Sequence, residues 1–260
     1  MKTRIFLILF VAGMLGVVSL LLIDLNAVVE LIPPTSGAEI PTITPAIKLL
    51  TLVQPTLFLA VAVVIGVALA PRVGLSSPFA ECVARGGRCV PELKPQVAPG
   101  LLGGLVGGML IVLTSSASRP FLMTETIDRL RAFGQFVPIP TRILYGGITE
   151  ELLLRWGFMT VIVWIAWRVL ARQASKPTTM SYVLAILISS VVFGLGHLPV
   201  ALTLLPESGI ALILFVILGN SEFGIVAGYL YWRYGLESAI IAHMFCHVVL
   251  ALAHYAGVYF

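Results

Sequence analysis

Two adjacent glutamates, Glu150 and Glu151, an arginine at Arg155 and three histidines, His197, His243 and His247, interrupt stretches that are otherwise almost wholly apolar. An ionisable group inside a membrane span costs several kcal/mol on insertion scales, so it normally faces a bundle interior or a hydrated cavity and marks function. Together these side chains supply a carboxylate base, a partner to orient it and hydrogen-bond donors for an oxyanion. Water attack on an amide carbonyl needs those three things.

The spacing divides the roles. Glu151 and Arg155 stand at i and i+4 and pair along one helical face, while Glu150 points a fraction of a turn away and is free to act as a general base. The alternative for the acidic pair is a place in the headgroup region at a helix start. His197 closes the run Phe193-Gly194-Leu195-Gly196, with Phe193 one turn before the imidazole and placed to touch a substrate; a lone histidine at a span end also fits an interfacial residue. His243 and His247 share one face by their i, i+4 spacing, and as core filling they would leave polar nitrogens to be satisfied. His254 reads as an interfacial bystander, and Ser115, Ser116 and Ser118 as helix-end capping.

The elements that must position these groups follow from composition. Of 260 residues 59% are hydrophobic and 11% charged, with a mean hydropathy of +1.05, which sets the chain apart from soluble globular proteins. The fold class expected is an all-α, polytopic transmembrane helix bundle, a single integral membrane domain over residues 1–260 with the motif-bearing core at 145–250. Apolar windows predict seven spans near 5–25, 47–70, 98–116, 148–170, 180–199, 209–231 and 236–256. The stretch Arg119 to Arg142, with Phe121, Leu130 and Phe133 among its apolar residues, reads as an interfacial or re-entrant helix, with an eighth span as the alternative. Lys2 and Arg4 before the run Ile5 to Ile23 resemble a signal peptide, but that run is long and reads as a retained first helix.

Charge gives an orientation and excludes a class of partner. Lys2 and Arg4, then Arg72, Arg85, Arg88 and Lys94, then Arg168, Arg172 and Lys176, then Arg233 fall in alternate loops, so the positive-inside rule puts the N-terminus in the cytoplasm and the C-terminus outside. The net charge of +4 arises from these helix ends, and no nucleic-acid partner is expected. Cys82 and Cys89 then lie in a reducing compartment and are expected, with Cys246, to be unpaired thiols. The glycine pairs Gly103–Gly104 and Gly107–Gly108 give a small-xxx-small pattern for close helix packing.

Glu150-Glu151-x-x-x-Arg155, Phe193-x-x-x-His197 and His243-x-x-x-His247 resemble the successive motifs of the CAAX-protease and bacteriocin-processing (CPBP, or Abi) family of intramembrane glutamate proteases. Gly224-x-x-x-Gly228-Tyr229 leading into Arg233-Tyr234-Gly235 is similar as well. The resemblance implies that Glu150 and His197 activate a water for attack on a peptide carbonyl, that Glu151 and Arg155 orient the site, and that His243 stabilises the oxyanion. The family's last motif usually reads His-x-x-x-Asn or Asp, so this chain departs at His247, whose neutral ring can still donate a hydrogen bond.

The expected activity is therefore a membrane-embedded endopeptidase without a cofactor, acting on a peptide or protein substrate of prenyl-CAAX or peptide-maturation type. A zinc-dependent protease using the same histidines and a carboxylate is one alternative. A catalytically silent regulatory or binding protein, or a transporter with buried charges along an ion path, is another, although no inverted repeat is evident. Gly-x-Ser-Gly, Gly-x-Gly-Asp and His-Glu-x-x-His, the signatures of other intramembrane proteases, do not occur.

Overall fold

A computed structural model of the chain describes residues 1–32, 43–205 and 209–259. In chain order the helices are α1 (Lys2–Ser19), α2 (Leu25–Glu30), α3 (Pro45–Leu50), α4 (Val53–Leu69), α5 (Pro78–Arg85), α6 (Val90–Ser118), α7 (Thr124–Phe136), α8 (Ile139–Thr141), α9 (Thr160–Leu170), α10 (Thr179–Leu204), α11 (Ile210–Tyr234) and α12 (Leu236–Tyr255). Between α8 and α9 the helix widens into two π segments, Arg142–Glu150 and Leu152–Met159. Among the described residues seven helices are long and apolar enough to cross a membrane: Lys2–Leu22, Pro45–Val73, Val90–Phe121, Ile139–Leu170, Thr179–Leu204, Ile210–Tyr234 and Leu236–Tyr255. The chain is an all-helical, multi-pass integral membrane protein with the span count that hydropathy predicts.

The third and fourth spans start earlier than their apolar windows. The third continues back to Val90 through Glu92, Lys94, Pro95 and Pro99, residues that a hydropathy window rejects but that a helix end emerging from lipid tolerates. The fourth begins at Ile139, so Arg142 and Tyr145 belong to it. The stretch between the third and fourth spans holds α7, an amphipathic helix of 13 residues, too short to cross a bilayer.

Packing gives the glycines of α6 a clear purpose. A Cβ at Gly103 would lie 2.5 Å from Leu230 Cδ1, and one at Gly107 would lie 2.7 Å from Phe223 Cδ2, both on α11. On the adjoining face, Cβ atoms at Gly104 and Gly108 would meet the Ala242 carbonyl oxygen at 2.5 Å and Val249 Cγ1 at 2.7 Å, both on α12. Two small-residue stripes thus let α6 wedge between α11 and α12, where dispersion contacts replace the absent hydrophobic drive. On the other side of the bundle, α1 and α4 pack against the π segments, with Leu59, Leu152, Met159 and Trp156 fully buried.

The turn between α11 and α12 is anchored by a polar clasp. Gly235 adopts φ +113°, and Glu237 just beyond it accepts from Ser77 Oγ at 2.5 Å and from the Ala80 backbone N–H at 3.1 Å. The carboxylate thereby takes up free donors at the start of α5.

The expectation of unpaired thiols is corrected for two cysteines: Cys82 and Cys89 form a disulfide, with Cα atoms 5.5 Å apart. The cause is local. Gly86 (φ +74°) ends α5 in a left-handed turn, with the Gly86 N–H bonded to the Val83 carbonyl and the Gly87 N–H to the Cys82 carbonyl, and this closure turns the chain back so that Cys89 faces Cys82. Cys246 remains free and buried.

Candidate active site

The fourth span brings its two glutamates to the junction of the π segments. Widened turns of this kind are rare and occur often at functional sites, because the extra residue per turn re-aims neighbouring side chains. Glu151 turns inward and is completely buried, as is Arg155, whose Nε lies 3.1 Å from Glu151 Oε2. The pair is an ion contact in which the guanidinium is not aligned for a hydrogen bond, and Arg155 Nη1 and Nη2 meet no acceptor among the described residues. Its charge instead faces the Phe193 ring, 5.3 Å from the centroid, a favourable cation–π placement.

Glu150 takes the other direction. Its side chain is 20% exposed and lines a cavity of about 810 Å³. The same cavity is lined by His197, His243, His247 and Phe193, so the predicted groups of three spans meet at one space.

His243 sits between the two carboxylates. Its Nδ1 is 2.9 Å from Glu151 Oε1 and its Nε2 is 4.0 Å from Glu150 Oε2. Phe223 holds the ring from one side at 4.3 Å between centroids, and His247 stacks on it at 4.9 Å and 18°. Phe193 meets both His197, at 4.8 Å, and His243, at 5.8 Å, each nearly edge-on. His197 Nδ1 lies 2.8 Å from the Phe193 carbonyl oxygen; because that oxygen only accepts, Nδ1 carries a proton, and Nε2 is the nitrogen left for another partner.

Several lining residues were absent from the sequence expectations. Arg142, Tyr145 and Gly146 of the fourth span, and Asn220 and Phe223 of the sixth, all border the cavity. His254 does so too, at its edge, where an interfacial bystander was expected. A Cβ at Gly146 would come within 2.5 Å of His247 Nε2, so the glycine is what admits that imidazole. For Asn220 the available signal was its polarity inside an apolar span; Arg142 lay before the predicted start of its span. Polarity within a span also marks Glu222, a carboxylate in the middle of α11 whose two oxygens each lie 2.8 Å from Thr114 Oγ1 on α6, outside the cavity lining.

The cavity mouth lies at the end of the bundle formed by Leu20, Ile23, α7, Leu204 and Tyr255. Among the described residues no group of three or more His, Cys, Asp or Glu is spaced to hold a metal ion, so the zinc alternative finds no ligand set there.

Fold and site together define a class: a helical membrane protein with a buried glutamate–histidine cluster opening to one membrane face. Residues 132–249 match the family model described as type II CAAX prenyl endopeptidase Rce1-like. The chain carries in that segment a domain of this family of membrane proteases, and the buried cluster is consistent with the family's catalytic site. Neither the curated proteins nor the solved structures yield a match.

Proposed function

We propose that the protein hydrolyses a peptide bond inside the membrane with a water activated by Glu150 and His197. The observation that carries this reading is the division of the acidic pair: Glu151 is sealed against Arg155 and His243, whereas Glu150 faces the cavity. A water there donates one hydrogen to the Glu150 carboxylate and the other to the lone pair on His197 Nε2, which leaves an oxygen lone pair for the carbonyl carbon. Glu150 takes the proton as the C–O bond forms and returns it to the amide nitrogen as the C–N bond breaks.

Glu151 and Arg155 orient this machinery. With Glu151 Oε1 held 2.9 Å from Nδ1, His243 keeps Nε2 on the Glu150 side of the ring, where an Nε2–H donates to the oxyanion. His247, stacked behind it, is the second donor. Phe193 packs both reacting imidazoles and contributes an apolar wall for the substrate.

The substrate that fits best is a peptide with a lipid-modified C-terminal box, because the cavity is walled largely by apolar side chains such as Leu130, Phe133, Val200 and Phe215. Lysine and arginine distribution supports a cytoplasmic N-terminus. The Cys82–Cys89 disulfide favours the reverse orientation, since it needs an oxidising compartment on the face opposite the cavity mouth. In that orientation the mouth opens to the cytoplasm, where prenylated peptides are presented; accessibility of single cysteines introduced near residues 130 and 174 decides between the two.

The test of activity is Glu150→Gln in purified protein. Loss of cleavage with unchanged thermal unfolding is expected. Unchanged cleavage sinks the proposal, and metal analysis with chelation of the wild type checks the zinc alternative in the same preparation.

A further inference from the structure

Arg142 has no role in the chemistry above, yet it is a cation inside the fourth span that borders the same cavity as Glu150. Its Nε donates to the Val137 carbonyl at 2.9 Å and its Nη2 donates to the Gly134 carbonyl. These two bonds fix the plane of the guanidinium. Among the described residues Nη1 makes no hydrogen bond and no carboxylate pairs with the side chain, whose nearest titratable neighbours are the phenols of Tyr259 and Tyr255. A membrane-embedded arginine normally finds a counter-charge or a functional anion. The other arginine at the mouth, Arg131, is engaged by Asp128 at 3.5 Å.

We propose that Arg142 is the receptor for the free carboxylate at the C-terminus of the substrate, and that its distance from Glu150 sets how many residues are released. The inference rests on the peptidase reading given above. Guanidinium forks bind carboxylates through charge-assisted hydrogen bonds whose geometry a lysine cannot reproduce.

The spacing supports the match. Arg142 and Glu150 are eight positions apart on one helix; an α-helical rise of about 1.5 Å per residue would part them by roughly 12 Å, and because the whole interval is a widened π segment the separation is shorter than that. Side chains on a helix lean toward its N-terminus, so the offset between the two functional groups follows that between their backbones. A bond within a four-residue C-terminal box leaves at most three residues between the scissile carbonyl and the terminal carboxylate, and three extended residues span about 10 Å. A chain much longer than that would have to buckle, and a shorter one would not reach.

A purely structural arginine, stapling the loop after α7 to the fourth span, makes a different prediction, because it would affect all substrates alike. The experiment compares a fluorescent farnesyl-cysteine peptide carrying three further residues, made as the free acid and as the C-terminal amide. Wild type is expected to favour the acid by about 10- to 100-fold in KM, the range for a hydrogen bond to a charged group. Arg142→Gln should bring the acid-to-amide ratio close to one, and Arg142→Lys should give an intermediate ratio.

Affinity of the same two peptides for Glu150→Gln protein, alone and combined with Arg142→Gln, reads the ratio without turnover. An acid preference in binding with no cleavage by the wild type would overturn the peptidase reading and leave the carboxylate receptor standing. Equal use of acid and amide by the wild type, or a preference that survives Arg142→Gln, overturns the receptor. If Arg142→Gln does not fold, Arg142→Lys carries the test, and an undiminished acid preference in it overturns the proposal.

Discussion

Replacing Arg155 by Met tests whether the acidic pair is divided into a structural and a chemical member. Arg155 and Glu151 are both fully buried and 3.1 Å apart. Two unit charges at that separation attract by about 5 kcal/mol at an effective dielectric constant of ~20, and removing one partner of a buried pair typically costs 3–5 kcal/mol because the other charge is stranded. We expect Arg155→Met and Glu151→Gln each to destabilise the fold by about 3 kcal/mol and the double variant to lose far less than their sum, a coupling of about 3 kcal/mol. Unfolding by a denaturing detergent in mixed micelles can be followed through Trp156, a 1% exposed indole next to Arg155. Glu150→Gln, measured alongside, should leave stability within about 0.5 kcal/mol because its carboxylate faces the cavity. A coupling below about 0.5 kcal/mol, or a Glu150→Gln variant as unstable as Glu151→Gln, refutes the division.

Three further outcomes are expected. Gly146→Ala should cut turnover by at least about 10-fold, by driving His247 from its place, while costing only about 1–3 kcal/mol of stability; turnover at the wild-type rate would show that His247 is not needed where it stands. Phe223→Ala removes the ring that backs His243 and meets Gly107, and should cost about 3 kcal/mol in the same unfolding assay, with a change under about 1 kcal/mol counting against that packing. Thiol titration in denaturant should find one reactive cysteine, Cys246, before reduction and all three after it; three reactive thiols at the outset would contradict the Cys82–Cys89 bridge.

Much of the fold was readable because the bilayer demands long apolar helices, so length and hydropathy alone mark the seven spans. The i, i+4 logic likewise foresaw the Glu151–Arg155 contact and the stacking of His243 with His247, since both depend only on helical spacing. What spacing does not convey is how helices rotate against one another. The sequence reading therefore missed that His243 reaches both glutamates, and that Gly146 makes room for His247. The π segments escaped notice for a related reason: a widened turn is stabilised by contacts from neighbouring spans and leaves no local signature. Asn220 and Glu222 were legible as polar residues within spans, whereas Arg142 lay at the end of a stretch that reads as an interfacial or re-entrant helix, outside the predicted fourth span. The disulfide is not legible from charge, which places its loop in a reducing compartment, because the left-handed turn at Gly86 that brings the two thiols together is a feature of the backbone.

The wedge of α6 between α11 and α12 reaches beyond packing. The matched family segment begins at residue 132, yet two of its helices rest on glycine faces contributed by α6, and its mid-span Glu222 finds its hydroxyl partner on that same helix. Excised by itself, the segment would present a bare groove and an unclothed acid to lipid, so the N-terminal spans act as an internal chaperone whose loss should silence the site without touching any residue in it.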